Sequence, residues 1–244
     1  IGFFGKEHII TESVTVGNQT PIAYPVDLDG DGDLDIASRQ GSSLFWREND
    51  GNGNFEVQHV VSAANQATII RAADLDGDGD HDLLTGQYNN DKLVWYANSG
   101  DGTFGAEQTI YNPGGNNGSL TSLQIADMDG DGDMDFIVSS YNSYTDYYKN
   151  TNGLGAFVNQ SSMYMDRLMA VYPADLDGDG DLDIVGVDAN GGGAFNAVIW
   201  YENVNGVFGS NSQVVSSLSI HGQDVWAADM DNDGDVDVLT AAGH

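Results

Sequence analysis

Short, almost continuous apolar runs alternate with polar, glycine-rich turns along the chain, and the runs come in sets. Each set opens on a lead-in (IAYPV, IIRAA, LQIA, VYPA, VWAA) and continues, across a polar loop, into a run of β-branched and large apolar residues (LDIAS, HDLLT, MDFIV, LDIVGV, VDVLT). Runs this short, bounded by Gly and Asp, predict strands buried on both faces. A third segment follows (LFWREN, LVWYAN, DYYKN, VIWYEN) and is closed by a Gly/Asn-rich turn and a phenylalanine (DGNGNF, SGDGTF, TNGLGAF, VNGVF). A fourth, more polar segment then leads to the next set. No segment keeps a 3.6-residue apolar period long enough to bury a helix face, so a helical fold is excluded.

The polar loop inside each set is an acidic nonapeptide. It reads DLDGDGDLD at 27–35, DLDGDGDHD at 74–82, DMDGDGDMD at 127–135, DLDGDGDLD at 175–183 and DMDNDGDVD at 229–237, with starts 47, 53, 48 and 54 residues apart. A repeat of this size with four short strands per unit predicts an all-β fold, a β-propeller of four-stranded blades, with residues 1–244 as one propeller domain or propeller segment. Trp46, Trp95, Tyr147 and Trp200 recur at one phase and are expected to pack between adjacent blades. Phe4 lies 23 residues before Asp27, as Phe104 lies 23 before Asp127. The chain is therefore expected to open on the outer strand of a blade, at 3–11, and to stop just after the second strand of the fifth unit. Two arrangements follow. Either five blades close, with segment 3–11 in the same sheet as 235–240, or the chain is part of a seven- or eight-bladed ring. The larger ring is the expectation, because a closed blade lacking an internal strand leaves backbone groups unpaired.

Charge sharpens the picture. Of 38 acidic residues 25 fall in the five loops, leaving 13 to face 7 basic residues elsewhere, so the formal charge of −31 belongs to the loops. Lys6, Arg39, Arg47, Arg71, Lys92, Lys149 and Arg167 are scattered, which argues against nucleic acid or an anionic membrane surface as partner. There is no cysteine, hence no disulfide, thiolate metal site or cysteine nucleophile. No apolar run approaches the ~20 residues that cross a bilayer, and the first ten residues lack the layout of a signal peptide.

Five carboxylates in nine residues repel one another, by about 4 kcal/mol for a pair ~4 Å apart at an effective dielectric of ~20, so a cation is expected among them. Carboxylates at positions 1, 3 and 5, glycine at 6, a backbone carbonyl at 7 and a ligand at 9 reproduce the front half of a calcium loop. The candidate ligands are Asp27, Asp29, Asp31, Asp33 and Asp35; Asp74, Asp76, Asp78, Asp80 and Asp82; Asp127, Asp129, Asp131, Asp133 and Asp135; Asp175, Asp177, Asp179, Asp181 and Asp183; and Asp229, Asp231, Asp233, Asp235 and Asp237. The expected cofactor is Ca2+, about five ions, one per loop, since zinc would want His or Cys and magnesium would keep more water. An EF-hand is excluded because its twelfth residue is a bidentate Glu, whereas Ser38, Thr85, Val138, Gly186 and Thr240 stand there. His81, at position 8 of the second loop, reads as an exposed strand residue.

With these loops and strands, the units resemble FG-GAP/VCBS repeats, the calcium-loop blades of integrin alpha-chain propellers, of many secreted bacterial proteins and of some fungal lectins. The resemblance covers essentially the whole chain, and LVWYAN and VIWYEN look more like the bacterial members. It implies that each Asp loop joins the first two strands of a blade and holds calcium. It further implies a secreted or cell-surface binding or adhesion module whose partner is a protein or glycan ligand on a propeller face, without membrane insertion.

Two other functions are weighed beside adhesion. A lectin would use aromatic and polar loop residues, for which 86–90 (GQYNN), 139–144 (SSYNSY) and 187–193 (VDANGGG) have suitable side chains. A polysaccharide lyase would need a cationic or general-base cluster. His8, His59, His81, His221 and His244 fall at different phases of the repeat, so no catalytic residues are assigned and a non-enzymatic role is expected.

Overall fold

The structure is a computed structural model, and it describes residues 22–87, 92–111, 120–140, 144–164, 168–188, 197–209, 213–217 and 221–243. The first sheet is β1 (Ala23–Val26), β2 (Asp35–Gln40), β3 (Ser43–Arg47) and β4 (Gln58–Ser62). The second is β5 (Ala67–Ala73), β6 (Asp82–Gln87), β7 (Leu93–Tyr96) and β8 (Gln108–Tyr111). The third is β9 (Leu120–Ala126), β10 (Asp135–Ser140), β11 (Tyr144–Asn150) and β12 (Phe157–Tyr164). The fourth begins β13 (Leu168–Ala174), β14 (Asp183–Asp188), β15 (Ala197–Tyr201). A small hairpin, β16 (Asn203–Val204) and β17 (Val207–Phe208), follows before its outer strand, β18 (Gln213–Ser217). The fifth sheet has two strands among the described residues, β19 (His221–Ala228) and β20 (Asp237–Gly243). The strands of each sheet meander antiparallel, in chain order.

This is the expected succession of four-stranded blades. The first strands lie side by side, β1 against β5, β5 against β9, β9 against β13 and β13 against β19. All five contribute to the lining of a central cavity of about 480 Å3, with Ala23, Arg71, Gln124, Ala170 and Asp224 among its walls. Arg71 lies over the Tyr24 ring there, 5.6 Å from its centroid.

The core is divided among the seams between sheets rather than gathered at one centre. Leu28, Ala37 and Trp46 of the first unit meet Leu83, Val94 and Tyr96 of the second. The neighbouring residues Leu84, Leu93 and Trp95 turn the other way, onto Leu123, Phe136 and Tyr148 of the third unit. Ile137 and Tyr147 then meet Ile184, Tyr201 and Phe208, and Val185 and Val198 meet Val225 and Ala227. This period-two alternation, with both faces covered, is why the second strands read as unbroken apolar runs: all six residues of β6 and of β14 are buried. Stability therefore resides in nearest-neighbour stacking.

The aromatic markers sit in those seams as expected. The Trp46 indole Nε1 donates to the Gly102 carbonyl of the next blade at 3.2 Å, Trp95 meets Phe157 edge-on, and Tyr147 meets Phe208 edge-on at 5.5 Å. Trp200 is half-buried. The fifth sheet breaks the pattern on its far face. Met230 and Leu239 are 51% and 56% exposed, whereas their counterparts Leu28, Leu75 and Met128, and Ala37, Leu84, Ile137 and Val185, are buried under the following blade. The expected strand at 3–11, and with it the choice between a five-bladed and a larger ring, lies outside the described residues.

Candidate metal centres in the acidic loops

Each acidic loop is the connection between the first and second strands of its sheet. The residue before the loop pairs with position 9 in all five cases: Val26 with Asp35, Ala73 with Asp82, Ala126 with Asp135, Ala174 with Asp183 and Ala228 with Asp237. Position 6 needs glycine, because φ there is between 94° and 98° in every loop (Gly32, Gly79, Gly132, Gly180, Gly234). At position 4, φ falls to 61° where Asn232 replaces glycine, a left-handed value that Asn accepts. The tight turn brings backbone donors inward. The position-1 carboxylate accepts from the position-6 amide in all five loops, for example Gly32 N to Asp27 Oδ2 at 3.0 Å and Gly234 N to Asp229 Oδ2 at 3.1 Å.

Five groups of carboxylates converge, each offering three oxygens within 4.8 Å of one another. They are Asp27, Asp29 and Asp35; Asp74, Asp76 and Asp78; Asp127, Asp129 and Asp135; Asp175, Asp177 and Asp183; and Asp229, Asp231 and Asp237. Positions 1 and 3 are common to all, joined by position 9 in four loops and by position 5 in the second. Position 7 is in none of these groups, in keeping with a backbone role there. Its side chains turn toward the third-strand hairpin of the same blade. The Asp33, Asp80 and Asp133 carboxylates lie against Gly51, Gly100 and Gly153, and Asp181 accepts from Asn205 N at 2.7 Å. Asp31, Asp131, Asp179 and Asp233 at position 5, Asp235 at position 7, and Asp82 at position 9 of the second loop also fall outside the groups.

Such all-oxygen sets fit a hard divalent cation. Two observations agree. Asp76 Oδ1 and Asp129 Oδ1 are buried and have no hydrogen-bond partner, a costly state for an anionic oxygen unless a cation answers it. Burial also pushes the carboxyls of Asp29, Asp35, Asp76 and Asp183 above the ordinary Asp value, Asp82 to about 7 and Asp135 to about 6. Backbone amides oppose the rise without cancelling it.

Sequence reasoning missed the residue that carries each loop's signal to its neighbour. An asparagine ends the third segment of four units, and its backbone N–H donates to position 9 of its own loop: Asn49 to Asp35, Asn98 to Asp82, Asn150 to Asp135 and Asn203 to Asp183, each at 2.8 Å. The side-chain amide of Asn98 reaches the Leu28 carbonyl in the preceding blade's loop at 2.8 Å, Asn150 reaches Leu75 at 2.9 Å and Asn203 reaches Met128 at 2.7 Å. The recurrence of that Asn at one phase was the available signal. The loops also touch the next blade's hairpin directly, since a Cβ on Gly77 would lie 2.9 Å from the Gly153 carbonyl, and one on Gly206 would lie 2.6 Å from Asp129 Cβ.

One loop carries a cation of its own. The Lys149 ammonium pairs with Asp129 and, at 2.8 Å, with Asp131. These pairings raise Lys149 and hold the Asp131 carboxyl below its usual value. His81, at position 8 of the second loop, is exposed, as expected, with Nδ1 3.3 Å from the Asp27 carbonyl of the first loop. His59 stacks on Trp46 at 4.3 Å and pairs with Glu48. Of the loop segments with sugar-binding potential, Gly86 and Gln87 are buried in β6, while 88–90, 141–143 and 189–193 lie outside the described residues, as do His8 and His244.

The comparisons bear on the fold. The chain resembles the fold of an Agrocybe aegerita lectin solved for its specific recognition of non-reducing terminal N-acetylglucosamine (TM-score 0.59, 23% identity, 82% of this chain and 53% of that one). It also resembles the rhamnogalacturonan lyase YesW (0.56, 18%, 92% and 44%) and BBS1N from its complex with ARL6DN (0.62, 11%, 92% and 63%). The chain thus spans about half to three-fifths of the length of these structures. No curated protein matches it. No helix is long and apolar enough to cross a membrane among the described residues. The model of the FG-GAP-like repeat matches four overlapping spans, 27–85, 74–138, 127–186 and 175–240, and the chain belongs to that repeat family.

Proposed function

We propose that the chain is a calcium-stabilised, extracellular binding module whose Asp loops hold metal and whose propeller face presents loops to a protein or glycan ligand. The carrying observation is the convergence of carboxylates in all five loops, three of which lie against the next blade's hairpin. A cation there neutralises the loop and fixes the turn on which the neighbour rests. Calcium suits the oxygen-only donor sets, and the millimolar range of extracellular modules suits loops without a bidentate Glu. In this reading the ligands come from Asp27, Asp29 and Asp35 and their counterparts, with Asp78 joining Asp74 and Asp76 in the second loop, and with position 7 giving its carbonyl.

A binding role rather than catalysis is supported by two of the histidines: His59 is engaged by Trp46 and Glu48, and His81 sits beside a loop carbonyl. Fold likeness to a lectin and to a lyase does not choose between activities. A glycan array probed with and without calcium tests the reading. Calcium-dependent binding to a restricted set of glycans gives the ligand class. Glycan silence combined with calcium-dependent folding leaves a protein ligand, and turnover of an acidic polysaccharide would overturn the binding-module reading.

A further inference from the structure

The five loops are alike in sequence but not in what stands beside them. The residue just before the latch asparagine is Glu48 in the first unit, Ala97 in the second, Lys149 in the third and Glu202 in the fourth. Glu48 and Glu202 carry the same sign as the loops of their units. Lys149 has the opposite sign. Its ammonium, part-buried, contacts Oδ2 of Asp129 and lies 2.8 Å from Oδ2 of Asp131, so it spans positions 3 and 5 of the loop. Asp129 belongs to the converging carboxylate group, and its side chain lies against the Gly206 turn of the next blade, where a Cβ on Gly206 would fall 2.6 Å from Asp129 Cβ.

We propose that Lys149 acts as an internal counter-ion of the third loop, competing with the divalent ion there and making this the weak site of the five. The proposal rests on the calcium reading of the loops. An ammonium supplies one positive charge and three donors, where calcium supplies two charges and demands six to eight oxygens. It therefore relieves the repulsion among Asp127, Asp129 and Asp135 only in part. Asp129 Oδ1 is still without a partner, so the loop keeps a residual demand for metal. For calcium to bind, the lysine must leave two carboxylates, or stay and repel the ion. The functional consequence is a module with graded calcium dependence, in which the seam between the third and fourth blades responds to metal at higher concentrations than the other loops.

The test is a calcium titration by isothermal calorimetry, on the whole chain after chelation, for the parent and for Lys149→Ala and Lys149→Gln. Alanine is the second blade's own choice at this place, Ala97, so the substitution reproduces an environment the fold already contains. The parent should fill the third loop at roughly 100-fold higher free calcium than the other loops, the repulsion expected between a divalent ion and an ammonium that has swung off the carboxylates to about 12 Å, at an effective dielectric of about 20. Both variants should bring that last site into the range of the rest. Equal affinities for all sites in parent and variants overturn the proposal while leaving the calcium loops intact. Absence of calcium binding in every protein overturns both.

A second readout follows the ammonium itself. Acetylation of Lys149, followed by mass spectrometry, should be slow in EDTA, speed up at millimolar calcium, and be fast without calcium in Asp131→Asn. A Lys149 rate indifferent to calcium and to that substitution refutes the competition.

Discussion

The side-chain amide of Asn98 donates to the backbone carbonyl of Leu28 at 2.8 Å, across the seam between the first and second blades. The same amide reaches the His81 carbonyl at 3.1 Å, and the Asn98 backbone N–H donates to Asp82. One residue thus couples a buried carboxylate to the loop of the preceding blade, and Asn150 and Asn203 repeat the arrangement.

Asn98→Ala removes two donors and leaves two carbonyls at a closed seam unpaired. At about 1–3 kcal/mol for an unsatisfied buried group, softened where water enters, the expected loss is roughly 2–4 kcal/mol. Asn98→Asp should be worse, because a carboxylate would face two carbonyls near Asp82. Urea unfolding checks both, and a midpoint unmoved in Asn98→Ala would show that the latch carries no stability.

Much of this was legible in the sequence because the physics repeats with it. Strand positions followed from apolar runs covered on both faces, and the turn at position 6 from glycine, whose φ near 95° no other residue adopts comfortably. The aromatic markers at Trp46, Trp95 and Tyr147 could be placed between blades because a large ring recurring at one phase must be covered by something at the same phase. What escaped was conveyed by polar side chains whose partners lie in another repeat. Asn98 and Leu28 are 70 residues apart, and Asn in a loop-bound segment reads equally well as a turn residue. Lys149 escaped for a different reason: the repeat pattern directs attention to what recurs, and this residue matters because it does not.

Gly102→Ala should destabilise through a steric clash. A Cβ there would lie 2.2 Å from Cζ2 of the buried Trp46 ring, at φ +71°. A ring held in a packed seam cannot yield cheaply, so overpacking of about 1–3 kcal/mol adds to about 1–2 kcal/mol of left-handed strain. Gly41→Ala is the control, with φ +61° and open space around its Cβ, and should show only the strain. Equal melting temperatures for the two variants would mean that Trp46 moves aside.

The pH dependence should change sign with calcium. In the metal-free protein, burial raises Asp82 to about 7 and Asp135 to about 6, above the value of 3.8 from which they depart. A carboxyl raised on folding contributes stability that is fully present below pH ~4 and lost as pH climbs through 6 to 7. The metal-free chain should therefore lose stability between about pH 4 and 7 through these groups. Bound calcium favours the ionised carboxylates and reverses their slope, so the loaded chain should lose stability as pH falls. Chemical unfolding at pH 5, 6.5 and 8, in EDTA and in calcium, distinguishes the two slopes; parallel profiles would mean that Asp82 and Asp135 are not linked to the metal.

Chelation and single-loop disruption should differ in reach. EDTA strips every loop at once, and the loops stand at consecutive seams, so the melting temperature should fall by many degrees, with RT ln(1 + [L]/Kd) lost at each filled site. Asp177→Asn removes one of the three converging carboxylates of the fourth loop, Asp175, Asp177 and Asp183, and leaves the buried Asp183 bound to its backbone donors. Because blades contact mainly their neighbours, the damage should stay with the fourth loop and the seams beside it. The expected result is one fewer bound calcium, and a drop in melting temperature that is a minor fraction of the EDTA effect. In hydrogen exchange with calcium present, the loss of protection should centre on β13 and β14 and spare β1 and β2. If Asp177→Asn instead reproduced the whole EDTA effect, the sites would be coupled around the propeller rather than held seam by seam. If neither treatment moved the melting temperature, the loops would contribute nothing through metal.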